Sequence, residues 1–320
     1  MVPVAGFADV LTSPFLRLSD NSTDSNGLSR DSFAVLPTKT DPSAVFSWEL
    51  NSVSYSGTFC TVTQARPAGR SGAFSYAVKR LNPKWRLSPV GKAVIKREAE
   101  LGRLVTHPHV VTTLDEMTDG DDPYLVQPWL QGKTLQELLS SGRTVNPGEV
   151  IWIARQIAEA LAELEKHGFC HSDVKPGNII VSPNGHATLI DLGLARQTGE
   201  PTLPIDRAVV GTPKYMAPEL LDSSRPVDIR ADLYSLGLVM LEMLFGKSIL
   251  SEDDDASHRV NVGLWHTHWE SLASRANRQR QWLADLESVL RAMTDHNAVR
   301  RPASAEIPAR HLISIELAAI

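Results

Sequence analysis

The chain has 320 residues, 42% of them hydrophobic and 22% charged, with a net charge of -5 and a pI near 6.1. That length suffices for one large domain or two lobes around a substantial core, and the acidic balance excludes bulk attraction to nucleic acid or to an anionic membrane. Two cysteines, Cys60 and Cys170, are too few for a disulfide framework and point to a reducing, cytoplasmic setting.

The N-terminus lacks the basic start and continuous apolar core of a secretory signal. Residues 1–45 are rich in Ser, Thr, Asp and Asn and have little to bury, so a flexible leader is expected there. From Phe46 the pattern changes. FSWELNSV, TFCTVTQA, SYAVKRL and DDPYLVQPW read as strands, and VGKAVIKREAELGRLV between the last two reads as a helix. From Thr134 onward helices dominate: TLQELLSS, then GEVIWIARQIAEALAELEKHG with its terminal glycine. NIIV and ATLI are short strands joined by the turn residues SPNG. LYSLGLVMLEMLF, residues 233–245, is too short to span a bilayer and carries Glu242, so it reads as a buried helix rather than a membrane span. QWLADLESVLRAM is amphipathic. Strands first and helices afterwards, around one small hairpin, predict an α+β chain of two unequal lobes with a cleft between them.

The chemistry-bearing residues cluster in HSDVKPGN, residues 171–178, and DLG, residues 191–193. With Val78-Lys79, Glu98, Ala217-Pro218-Glu219, Asp232 and Arg301 they form an ordered set that resembles the eukaryotic-type serine/threonine protein kinases over roughly residues 48 to 312. The resemblance implies a bilobal protein-kinase-like fold, with a small β-rich lobe at about 46–128 and a larger helical lobe at about 131–312. Residues 313–320 are then a short tail. It also implies ATP with Mg²⁺ or Mn²⁺ as cofactors and a protein substrate bearing a Ser or Thr acceptor, the enzyme itself included.

Phosphoryl transfer needs a cation on the nucleotide phosphates, oxygen ligands for the metal, and a group to position the hydroxyl. By the resemblance Lys79 holds the phosphates and Glu98 holds Lys79, while Asn178 and Asp191 are the metal ligands. Asp173 orients the hydroxyl and accepts its proton, Lys175 stabilises the transferring charge, and Thr212 sits near both. Gly57 belongs to the phosphate loop, Val62 and Ala77 roof the adenine, Ile180 floors it, and Pro128 and Leu130 offer it main-chain groups. Glu219 and Arg301 form a buried ion pair, Asp232 accepts main-chain hydrogen bonds from the catalytic loop, and His171 belongs to the column joining the lobes.

Five departures stand out. The phosphate loop carries Tyr55 and Cys60 where the family has glycines, predicting a stiffer or more open lid. Gly102 replaces a large apolar residue one turn after Glu98, predicting a loosely held Glu98. Gln127 puts a polar side chain at the back of the pocket, and Ser172 replaces an arginine before the catalytic aspartate. Residues 251–281, with SEDDDASH and Trp265, Trp269 and Trp282 in or beside them, read as an extra solvated loop with an aromatic anchor, or as a docking surface for a regulatory partner. The alternative function is a catalytically weak pseudokinase that acts as a scaffold.

Overall fold

The computed structural model describes residues 35–36, 47–141, 145–200, 213–221, 226–246, 262–275 and 281–319. The expected leader lies outside the described residues except for Val35–Leu36. Those two form a short strand, β1, on the edge of the main sheet.

Six antiparallel strands build the small lobe. They are β1, β2 (Trp48–Ser56), β3 (Cys60–Pro67), β4 (Tyr76–Leu81), β5 (Asp115–Met117) and β6 (Tyr124–Pro128), in the order β1-β2-β3-β4-β6-β5. In central β4 the residues Ala77, Val78, Lys79 and Leu81 are buried and Tyr76 and Arg80 half-buried, a burial that the lysine's type does not anticipate. Helix α1 (Pro89–Leu104) packs across the sheet. It starts at Ser88 with Pro89 in the first turn, where a missing N–H costs nothing, and it stops when Val105 turns extended. The chain leaving α1 then runs onto the large lobe. There Leu189 donates its N–H to His109 O at 2.9 Å, and Val111 donates to Leu189 O at 3.0 Å.

In the large lobe, β7 (Lys133–Thr134), α2 (Leu135–Ser140) and α3 (Pro147–Lys166) lead to β8 (Phe169–Cys170), then to the hairpin of β9 (Ile179–Val181) and β10 (Ala187–Leu189). Both α2 and α3 open with reciprocal capping boxes, Thr134 with Glu137 and Asn146 with Glu149. Strand β11 (Arg196–Gln197) pairs with β8. Helix α4 (Ile229–Phe245) is apolar all round and forms the centre of the lobe, between an Asp228 cap and a Gly246 stop.

Residues 262–275, expected as part of a solvated loop, form helix α5 (Val262–Arg275). Its Trp265 and Trp269 are buried in the core of the large lobe, with Trp282 from α6 (Gln281–Met293). The aromatic anchor is therefore a helix face, and residues 251–261 and 276–280 lie outside the described residues. The final helix, α7 (Glu306–Ala319), runs through the boundary expected at residue 312. Ile315 is buried, and Glu316 accepts from Arg155 Nε of α3 at 2.7 Å, so the helix continues past residue 312 and is anchored to the large lobe at these two residues. Among the described residues no helix is long and apolar enough to cross a membrane.

Candidate active site

Between the lobes lies a cleft of about 430 Å³. Val62 of β3 and Ala77 of β4 line its upper side and Ile180 of β9 its lower side, with Gly57 at the lid and Pro128 and Leu130 at the link between the lobes. Lys79, Asp173, Lys175, Asn178 and Asp191 line the same space. Trp129 donates its N–H to Ser75 O at 2.9 Å, which closes the link onto the sheet. Among the described residues the next N–H, that of Leu130, has no hydrogen-bond partner.

Strand β4 delivers Lys79 from the sheet, in register with Val62 and Leu125. Its Nζ lies 2.6 Å from Glu98 Oε2 and 2.9 Å from Asp191 Oδ1. Burial opposes the charge on Lys79, yet the carboxylates of Asp191 and Glu98 outweigh it and raise its pKa, so the amine stays protonated. Burial lifts Glu98 above the usual carboxylate range against the pull of Lys79. Asp191 feels the same burial, but Lys79 overcomes it and holds Asp191 below its ordinary value.

Glu98 is not loosely held. Its second oxygen, Oε1, accepts from Gln127 Nε2 of β6 at 3.2 Å. Gly102 sits where no side chain fits: a Cβ there would stand 2.2 Å from Thr113 Oγ1 and 3.0 Å from Thr113 N. Thr113 donates its own N–H to Gly102 O at 2.8 Å, so the helix and the following chain touch backbone to backbone. The expectation of a loosely held Glu98 is thereby corrected, because Thr113 fills the space beside Gly102 and Glu98 is bonded to both Lys79 and Gln127.

The loop from β8 to β9 presents the second group of residues. His171 and Ser172 donate their N–H groups to Asp232 Oδ2 and Oδ1 at 2.6 and 2.7 Å, so α4 fixes the loop from beneath. His171 accepts from Asp173 N at Nδ1 (3.3 Å) and faces Ile190 O at Nε2 (3.1 Å), an arrangement that suits the neutral ring with its proton on Nε2. Burial lowers its pKa in keeping. Ser172 holds φ +66° and Asp191 φ +67°, a region unfavourable to side chains other than glycine's and met here in two loops of the large lobe. Asp173 Oδ2 accepts from Lys175 Nζ at 2.6 Å and from Asn178 Nδ2 at 2.8 Å. Burial raises the pKa of Asp173 in spite of Lys175.

Among the described residues these bonds leave Asn178 Oδ1 and Asp191 Oδ2 without protein partners, and neither is sealed off in the core. Two hard oxygens beside a protonated lysine fit a divalent cation carrying phosphate, with water and phosphate oxygens to complete its shell. Glu219 and Arg301 lie outside the cleft as a fork, Nη1 to Oε1 at 2.6 Å and Nη2 to Oε2 at 3.0 Å. Thr212 lies outside the described residues.

Two aromatic features were not legible in the motifs. Tyr55 of β2 stands 6.0 Å, ring to ring, from Trp129 at the front of the cleft. Phe59 does not project from the tip of the lid but is buried against Trp85, ring centroids 4.9 Å apart. The Tyr55 partner was hidden because the two residues are 74 positions apart, on β2 and on the link after β6, with β3 and β4 between those strands in the sheet.

This cleft brings a lysine paired with two carboxylates to the junction of the lobes. The sequence matches the protein kinase domain over residues 55–313, and the chain belongs to that family. It is 35% identical over 171 residues to a probable serine/threonine-protein kinase of Clostridium acetobutylicum, covering 53% of this chain and 25% of that protein. A probable serine/threonine-protein kinase of Streptomyces coelicolor is 36% identical over 174 residues, covering 52% and 26%. Serine/threonine-protein kinase PknB of Mycolicibacterium smegmatis is 30% identical over 240 residues, covering 73% and 37%. The chain thus spans between a quarter and two fifths of the length of these relatives.

Proposed function

We propose that this chain is a serine/threonine protein kinase that transfers the γ-phosphoryl group of ATP, with Mg²⁺ or Mn²⁺, to hydroxyls of protein substrates and of itself. The observation that carries this is the placing of the Lys79–Glu98–Asp191 triangle in one cleft with Asp173, Lys175 and Asn178. A scaffold has no use for a protonated lysine shared by two carboxylates, each group costly to desolvate. The scaffold alternative rested on the poor lid and on Gly102, and against the second of these the 2.6 Å contact between Lys79 and Glu98 favours transfer.

ATP supplies the phosphoryl group and the divalent cation offsets its charge. In this reading Lys79 binds the α- and β-phosphates, and Glu98 holds the lysine in place. Asn178 and Asp191 offer Oδ1 and Oδ2 to the cation. Asp173 takes the proton of the acceptor hydroxyl, helped by a pKa raised by burial, and Lys175 faces the charge in transit. Thr212 completes the set by hydrogen-bonding near Asp173 and Lys175. Val62, Ala77 and Ile180 enclose the base, and Pro128 O and the Leu130 N–H meet its polar edge. A regulatory partner at residues 251–281 belongs to the same reading.

The test is incubation of the purified chain with labelled ATP, Mg²⁺ or Mn²⁺, and a Ser/Thr-rich protein. Label should enter the substrate and be lost in Asp173→Asn. Equal labelling by the variant, or none by the wild type with either metal, would sink the assignment.

A further inference from the structure

The lid is the part of the cleft that departs furthest from the family pattern, yet it is the part most heavily tied down. Its turn, residues 57–59, is closed by Gly57 N donating to Cys60 O at 2.8 Å. All three carbonyls of the turn are then taken by the connection between β4 and α1. Asn82 Nδ2 donates to Gly57 O at 2.8 Å and to Thr58 O at 3.3 Å, and Trp85 Nε1 donates to Thr58 O at 2.9 Å. Asn82 N donates to Phe59 O at 2.7 Å, and Asn82 Oδ1 accepts from Thr61 Oγ1 at 2.7 Å. Phe59 folds back onto the Trp85 ring and buries itself between the sheet and α1.

The anchoring connection is itself fixed. Trp85 N bonds Asn82 O at 2.8 Å, and Ser88 N bonds Trp85 O at 3.1 Å. Gly91 of α1 presses against it so closely that a Cβ would stand 2.3 Å from Trp85 O. In a trans peptide the C=O and the following N–H point to opposite sides. With the carbonyls of Gly57 and Thr58 turned toward Asn82 and Trp85, the N–H groups of Thr58 and Phe59 face away from that connection. Among the described residues neither N–H has a hydrogen-bond partner, and both residues line the cleft.

We propose that Asn82 and Trp85 are positioning residues for the nucleotide phosphates, forming a clasp that presents the Thr58 and Phe59 N–H groups to phosphate oxygens in place of glycine flexibility. The inference rests on the kinase reading above. A glycine-rich lid gains its approach by bending, at the cost of ordering a loose chain when ligand binds. Here the ordering is done in advance by side chains, and glycine is dispensable at Tyr55 and Cys60. Because the clasp springs from the start of α1, the lid and the helix that carries Glu98 move as one piece.

The experiment titrates the full chain by calorimetry with Mg²⁺ and a non-hydrolysable ATP analogue, and separately with adenosine. Asn82→Ala, Trp85→Ala and Trp85→Phe are compared with wild type. Loss of the Asn82 donors should weaken the analogue by about fivefold or more while adenosine affinity stays within about twofold. Trp85→Phe keeps the stacking on Phe59 and loses one bond, so its effect should be smaller than that of Trp85→Ala. Amide hydrogen exchange over residues 57–60, measured without nucleotide, should speed up in Asn82→Ala. Unchanged analogue affinity, or a parallel fall for adenosine, overturns the clasp. A wild-type chain that binds neither ligand overturns the kinase reading and this inference together.

Discussion

Gln127 donates from Nε2 to Glu98 Oε1 at 3.2 Å, so the carboxylate that fixes the phosphate-binding lysine is itself held from strand β6. Both residues are buried. A hydrogen bond to a buried charge is worth about 1.5–3 kcal/mol, and its loss leaves Glu98 with Lys79 alone. Gln127→Leu should therefore lower kcat/KM for ATP by roughly tenfold, a loss near 1.4 kcal/mol, in a chain that still folds. Steady-state kinetics decide it; an unchanged kcat/KM would show that Lys79 suffices.

Gly102 offers a second test, with the sign reversed from what packing by analogy suggests. Gly102→Ala would improve helix propensity by about 1 kcal/mol in an open site. Against Thr113 Oγ1 at 2.2 Å it should instead destabilise by about 1–3 kcal/mol, read as a lower urea midpoint at constant slope. Thr113→Ala in the same chain removes the clashing hydroxyl and should restore part of the loss. Additive effects would count against direct contact.

Arg301 stacks over Tyr234, 4.5 Å from ring centre, and donates to Asp295 O and Arg230 O as well as to Glu219. Its side chain has no exposed surface, so Glu219→Ala strands a buried cation. A destabilisation of about 3–5 kcal/mol is expected. Arg301→Lys keeps the charge but not the fork, and should also lose stability. Thermal or denaturant melts measure both, and a shift within error would disprove the structural role.

Asp232 carries a pH signature. Burial lifts its pKa from 3.8 to about 6, past the opposing effect of two N–H donors. Between those values the folded chain holds a proton that the unfolded chain has released, so stability from this group falls as pH rises. The change amounts to about 3 kcal/mol. Comparing wild type with Asp232→Asn cancels the other groups. The wild-type advantage over the variant should shrink by about that amount from pH 4 to pH 7. A gap that is constant or grows would refute the raised pKa.

Most of the scaffold could be read from the chain. The alternation around Val78 and Lys79, the glycine ending α3 and the apolar ring of α4 each state their own local rule, and the ordered motifs join them into a known architecture. What escaped was long-range. Trp265 and Trp269 looked like a loop anchor because residues 251–261 are acidic and polar, while the four-residue spacing of a buried helix face was short enough to miss. Gly102 read as missing volume because no local rule announces that Thr113 will lie against it. Asn82 carried no signal of its own, since nothing in KRLNPKW reveals three carbonyls 23 to 25 positions upstream.

Helix α1 belongs to the small lobe by sequence, but it is fastened to the large lobe as well. Its exit is bonded to Leu189 of β10, its Arg97 Nη1 reaches Ala195 O at 2.9 Å, and Val94 presses on Gly193, where a Cβ would stand 2.6 Å away. A swing of the sheet away from the large lobe would therefore strain contacts of the helix on one side or the other, since Glu98 also takes Lys79 and Gln127 from the sheet. Lys79 sits where these ties cross, bonded at once to the helix through Glu98 and to the large lobe through Asp191, and so acts as a rivet through three parts of the molecule.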